Sequence, residues 1–183
     1  MISQTCWVVG FDCFKKVIKI DSTHAGANTN LGVVYFRLNK YKESIFYTQR
    51  AIKLNPEDTS LYGNLGDAYF ALGSFEEAAS AFKVIVKSKE ATVVNYKRYG
   101  TALFNLKKYE LASEVFKDGL EKFPNDTEIE INLGNAYGAS GQVEKAISVF
   151  EKLFRENPSN MNVLRFLIMC YTELGNQEKV EQY

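Results

Sequence analysis

The stretch from Thr59 to Glu90, TSLYGNLGDAYFALGSFEEAASAFKVIVKSKE, decides the fold. Apolar or small residues recur in it at three- and four-residue steps: Tyr62, Leu65, Gly66 and Tyr69, then Phe75, Ala78, Phe82 and Ile85. That spacing gives each half one apolar helical face, so the stretch reads as two amphipathic helices. Gly73 stands between them, and glycine accepts the left-handed backbone that ends a helix.

Working outward, the tripeptide Asn64-Leu65-Gly66 also occurs as Asn30-Leu31-Gly32, 34 residues earlier, and as Asn132-Leu133-Gly134, 68 residues later. Halfway along the longer interval stands Arg98-Tyr99-Gly100. A fixed period of this length is the mark of a repeat array. On it, units start at Ala25, Thr59, Val93, Thr127 and Met161, and the fifteenth place of each is Asn39, Gly73, Lys107, Gly141 or Gly175, where a turn is expected. The chain's three prolines, Pro56, Pro124 and Pro158, share the thirty-second place, where they stop the second helix.

These marks resemble the tetratricopeptide repeat, whose pattern sets Leu-Gly, Tyr, Ala, an aromatic and Pro at fixed offsets in 34 residues. The Leu-Gly place reads Leu31-Gly32, Leu65-Gly66, Tyr99-Gly100 and Leu133-Gly134; the tyrosine place reads Tyr35, Tyr69, Leu103, Tyr137 and Tyr171. The alanine place reads Ser44, Ala78, Ala112, Ala146 and Val180, followed by Thr48, Phe82, Phe116 and Phe150. Gly or Ala lets helices approach closely, and the aromatics fill the space between units. Glu90 replaces proline in the second unit and Ile168 replaces glycine in the fifth. The resemblance implies an all-α solenoid, a right-handed superhelix of antiparallel helix pairs. Residues 1–24 read as the second helix of a partial repeat, with Trp7, Gly10, Phe14, Val17 and Ile20 on its core places; full repeats follow at 25–58, 59–92, 93–126 and 127–160, and a shortened fifth at 161–183.

Composition narrows the function. Lys plus Arg and Asp plus Glu are 22 each, without long blocks of one sign, so no nucleic-acid partner is expected. No run approaches the roughly 18 to 20 apolar residues that span a bilayer, and Asp12 breaks the short apolar run near the start, so neither membrane insertion nor an export signal is read. Three cysteines and one histidine do not supply a usual zinc site, and no metal or cofactor is expected. Reduced thiols point to the cytoplasm. No catalytic set emerges either. His24 lies in a turn without a nucleophile of fixed place beside it, Cys6, Cys13 and Cys170 read as packing residues, and Glu76, Glu110 and Glu144 support the starts of second helices. The chain is read as no enzyme.

In proteins that resemble this one, first helices line the concave side, and their places 2, 5, 6, 9, 12 and 13 meet ligands. The resemblance thereby marks Asn30, Asn64, Arg98, Asn132 and Phe166 at the sixth place, a row of Phe36, Phe70 and Phe104 at the twelfth, and Lys97 and Arg165, with Asn132 and Asn135 between them, as a set able to hold a carboxylate. The implied function is a protein-interaction scaffold or adaptor that holds a partner peptide or helix in the groove. Two alternatives stand beside it. One is self-association through open ends, with Trp7, Phe14 and Val17 on one side and Leu167, Tyr171 and Leu174 on the other, giving a homo-oligomer. The other is the repeat arm of a larger enzyme such as a glycosyltransferase.

Overall fold

The computed structural model describes the backbone of residues 4–183 and the side chains from residue 10 onward; the side chains of Cys6 and Trp7 lie outside the described residues. The described residues form eleven helices and no strand. They are α1 (Gln4–Ile20), α2 (Ala25–Arg37), α3 (Tyr41–Leu54), α4 (Ser60–Leu72), α5 (Phe75–Ile85), α6 (Val93–Asn105), α7 (Tyr109–Lys122), α8 (Thr127–Ala139), α9 (Val143–Glu156), α10 (Met161–Glu173) and α11 (Gln177–Gln182). Two compact units divide the chain, Met1–Asn95 and Tyr96–Tyr183, the division falling within α6.

In the first unit α3 packs on α2 before it and α4 after it, while α2 and α4 touch each other. In the second unit α9 packs in the same way on α8 and α10, and α8 touches α10. Second helices therefore act as spacers behind first helices that lie side by side, and each unit presents a face made of first helices. The turn inside each pair has one geometry. Asn39, Gly73, Lys107, Gly141 and Gly175 all take positive φ, between 58° and 81°. The next residue's N–H then reaches back to the carbonyl five residues earlier, as from Ser74 to Tyr69 and from Lys108 to Leu103, both at 2.9 Å. This closes the carbonyls left open at the helix end. Lys107 makes the turn without glycine's freedom, at a steric cost that glycine would not incur.

The helices of a pair interlock through one recurrent contact. A Cβ added at Gly66 would lie 2.6 Å from the Phe82 ring and one at Gly134 would lie 2.5 Å from Phe150; Gly100 meets Phe116 in the same way. The glycine is the gap that admits the ring. Phe82, Phe116 and Phe150 are in consequence no more than 1% exposed. Phe150 also stacks on Phe166 of the following pair, ring centres 5.2 Å apart, so this ring fills space between repeats as well as within one. In α2 and α3 the arrangement is replaced by a polar one. Thr48 faces Gly32, and the buried Ser44 hydroxyl donates to the Gly32 carbonyl at 2.8 Å.

Where Glu90 stands in place of proline, α5 is 11 residues long, against 14 in α3, α7 and α9. The Thr59 hydroxyl donates to the Glu90 carboxylate, which ties the shortened end to the start of the same pair. His24 has a structural role: its Nδ1 accepts from the Ala27 N–H at 3.1 Å and caps α2.

The apolar surface expected at the C-terminal end is partly covered. Leu167 is fully buried and Tyr171 nearly so. The Tyr183 ring packs 5.3 Å from Phe154 and 5.9 Å from Tyr171, whose hydroxyl donates to Glu151 at 2.7 Å. Of the three side chains expected to be open there, only Leu174 is exposed; Phe14 and Val17 in α1 are half-buried.

Candidate functional site

The face made by the first helices carries the residues marked from the sequence, and the two units hold different parts of the set. In the first unit Asn30 is exposed and Asn64 half-buried. Phe36 and Phe70 are half-buried as well, and they do not stand as free rings. Phe36 packs on Tyr41 at 5.6 Å and Phe70 on Phe75 at 5.4 Å, each partner being the first residue of the second helix in the same pair. Phe104 repeats this in the second unit, 5.0 Å from Tyr109. Each ring is engaged within its own pair and, being half-buried, keeps part of its surface open.

Three of the marked residues converge in the second unit. Phe104, Asn132 and Asn135 line a small depression of about 70 Å³ together with Thr101 and Phe116. Phe104 and Asn135 also line a larger hollow of about 380 Å³, whose other walls include Gly138, Phe166 and Met169. This lining is mostly apolar and includes the Asn132 and Asn135 amides, a combination able to grip an apolar side chain while meeting a peptide backbone's donors and acceptors. Met169 is 64% exposed. A hollow of similar volume in the first unit lies between α4 and α5, lined by Tyr62, Leu65, Tyr69, Glu76, Glu77, Ser80 and Ala81.

The charged residues are arranged otherwise than a carboxylate-binding set requires. Lys97 Nζ lies 2.6 Å from Glu128 Oε2 and 3.1 Å from Asp126 Oδ1, with only 19% of its side chain exposed. Burial alone would pull its pKa down; the hydrogen bonds and charges of Glu128 and Asp126 outweigh that and hold it above the usual lysine value. Its charge is thus already met within the chain. Arg165 is exposed on α10, and Arg98 on α6 is half-buried with interactions of its own. Asp126 does double duty, since the same carboxylate oxygen caps α8 by accepting from the Ile129 N–H at 3.0 Å.

Gly138, Phe166 and Met169 stand at the twelfth, sixth and ninth places, all of them groove places by the family resemblance, and only Phe166 is named there from the sequence. The twelfth place changes from phenylalanine to glycine at Gly138, a break in the row that opens the surface there. Cys170, also against the hollow, is buried; burial, with the Glu173 charge adding, raises its thiol pKa. Among the described residues no group of three or more His, Cys, Asp and Glu side chains is placed to hold a metal ion, and no helix is long and apolar enough to cross a membrane.

Family models for the tetratricopeptide repeat match residues 25–58, 59–91 and 131–179. No curated protein matches the chain. Among solved structures, the chain is similar to YrrB, described as a tetratricopeptide repeat protein with an unusual peptide-binding site, at 21% identity with a TM-score of 0.78, over 91% of this chain and 86% of that one. It is also similar to MamA from Desulfovibrio magneticus RS-1 at 22% identity with a TM-score of 0.77, over 86% of this chain and 89% of that one. A further MamA crystal structure matches at 18% identity with a TM-score of 0.80, over 87% of each chain. With the interlocked helix pairs and the 34-residue period, these matches identify the chain as a member of the tetratricopeptide repeat family, an all-α solenoid of helix pairs.

Proposed function

We propose that the chain is a non-enzymatic interaction scaffold that holds a segment of a partner protein against its first helices, with the main contact in residues 96–183. The repeats are taken as 25–58, 59–92, 93–126, 127–160 and the shortened 161–183. One observation carries the reading: in the second unit the apolar lining that contains Phe104, Phe166 and Met169 adjoins the Asn132 and Asn135 amides, Phe104 and Asn135 being shared by the two hollows. Apolar lining and amides together suit an extended peptide, whose backbone needs donors and acceptors while its side chains need burial. Lys97 supports the surface rather than the ligand, because Asp126 and Glu128 engage it. An acidic segment is therefore not the favoured partner.

The test is to pan the full chain against a phage-displayed library of random dodecamer peptides and to measure the selected peptides against Asn132→Ala/Asn135→Ala. Loss of roughly 1 to 3 kcal/mol of binding with the helical spectrum unchanged is the expected result. Selected peptides that bind the double variant as well as the native chain would remove the amides from the site.

A further inference from the structure

The larger hollow of the second unit has a specific origin. Three first helices carry phenylalanine at the twelfth place, and each ring packs on the aromatic that opens its own second helix: Phe36 on Tyr41, Phe70 on Phe75, Phe104 on Tyr109. In α8 that place is Gly138, and α9 opens with the buried Val143. No ring of α8 stands where the sibling pairs seat one. A Cβ added at Gly138 would meet nothing nearer than the Ala146 Cβ at 4.0 Å, so the space is open and not filled from elsewhere. Gly138 is also part of the lining of the hollow of about 380 Å³, a volume within the usual size of a small-ligand pocket.

We infer that this hollow is a specificity pocket for one aromatic side chain of the bound segment, with a basic residue next to that side chain. The inference deepens the groove reading above and rests on it. The repeats themselves supply the first argument: the chain solves the same packing position with a phenyl ring in three first helices, while α10 places Thr172 there and α8 alone leaves it without any side chain. The walls supply the second. Phe104 and Phe166 offer ring surface, and Met169 offers a polarisable sulfur in the same lining, the surroundings aromatic rings prefer. Charge supplies the third. Glu173 is the one charged residue among those lining the hollow, while Lys97 on the neighbouring α6 is neutralised by Asp126 and Glu128. Arg165, exposed on α10, lies outside the lining and eight residues before Glu173, about 12 Å of helix rise away, so at the Glu173 end a cation beside the ring is attracted and an anion repelled.

The probes are N-acetyl-L-phenylalaninamide, its cationic form L-phenylalaninamide, its anionic form N-acetyl-L-phenylalanine, and N-acetyl-L-alaninamide as the ring-free control. They are titrated into the full chain labelled at its methionine methyl groups and followed by nuclear magnetic resonance. A ring entering the hollow shifts the Met169 methyl upfield and saturably, whereas Met161, exposed at the start of α10 and outside the lining, stays put. The cation is expected to bind severalfold tighter than the anion, and the alanine control to do nothing. Gly138→Phe, which supplies the sibling residue, should abolish the shift, and Gly138→Ala should not. Absence of a saturable Met169 shift, equal movement of Met161, or a shift that persists in folded Gly138→Phe would overturn the pocket. Preference for the anion would overturn the basic neighbour. The wild-type titration is decisive by itself, so the test holds even if Gly138→Phe does not fold. The two readings also fail separately: panned peptides that need Asn132 and Asn135 while Met169 is silent sink the pocket alone, and a Met169 response without amide-dependent peptides sinks the amide-lined groove alone.

Discussion

At the scale of single residues, the large side chains of the core depend on the small ones beside them. Gly66 has no room for a side chain, because three atoms of the Phe82 ring lie 2.6 to 2.9 Å from where its Cβ would be. Gly66→Leu is expected to cost on the order of 1 to 3 kcal/mol through overpacking, visible as a lower melting temperature; an unchanged one would contradict the interlock. Lys107 is the opposite case. It holds φ at 59° in a turn whose counterparts at three pairs are glycine, so Lys107→Gly is expected to raise stability by about 1 kcal/mol, since a side chain in that conformation costs about 1 to 2 kcal/mol. A fall in stability would show that the lysine side chain contributes something the turn geometry does not reveal. The two free thiols with described surroundings should also differ in reactivity: Cys13 is exposed and Cys170 buried, so a thiol reagent is expected to modify Cys13 first. Mass mapping of the singly labelled chain checks the order.

At the scale of elements, the end of α7 and the start of α8 show how a charge marked for a ligand came to serve the fold. Asp126 caps α8 and pairs with Lys97, so Asp126→Ala is expected to lose the cap, worth about 1 kcal/mol, and part of the ion pair with it. The pH dependence has a definite sign. A lysine whose folded pKa lies above the unfolded value of about 10.4 stabilises fully below that pH and loses its contribution as pH rises through the folded value. Native protein should therefore lose stability more steeply above about pH 10.4 than Lys97→Met does, measured by denaturant melts across the range; parallel curves would contradict the pairing. The sequence carried the helices, their turns and the glycine gaps because each is repeated at 34-residue steps, and five positive-φ turns fall at the fifteenth place. It did not carry the partners of Lys97, because Asp126 and Glu128 lie about thirty residues away, and the thirty-fourth place that Asp126 shares with Asp58, Thr92 and Asn160 signals a helix cap and not an ion pair. Nor did it tell a free aromatic row from rings that lean on Tyr41, Phe75 and Tyr109, since periodicity places a side chain on a face without saying what covers it.

At the scale of the whole molecule, function follows from which helix face is left unfilled. First helices in each unit touch their successors while second helices stand behind them, so bulk lost on the front, as at Gly138, opens as surface, whereas bulk lost behind would open as a cavity. The candidate site was legible in outline, through Phe104, Asn132 and Asn135, and its centre was legible only as a missing phenylalanine. The proposed function requires a partner segment on the front of residues 96–183. Hydrogen–deuterium exchange with a panned peptide bound tests that requirement without relying on any single side chain. Protection concentrated in α8 and α10, residues 127–139 and 161–173, with α7 and α9 unchanged, is the expected result. Protection confined to α7 and α9, or absent from both first helices, would place the partner on the other face and contradict it.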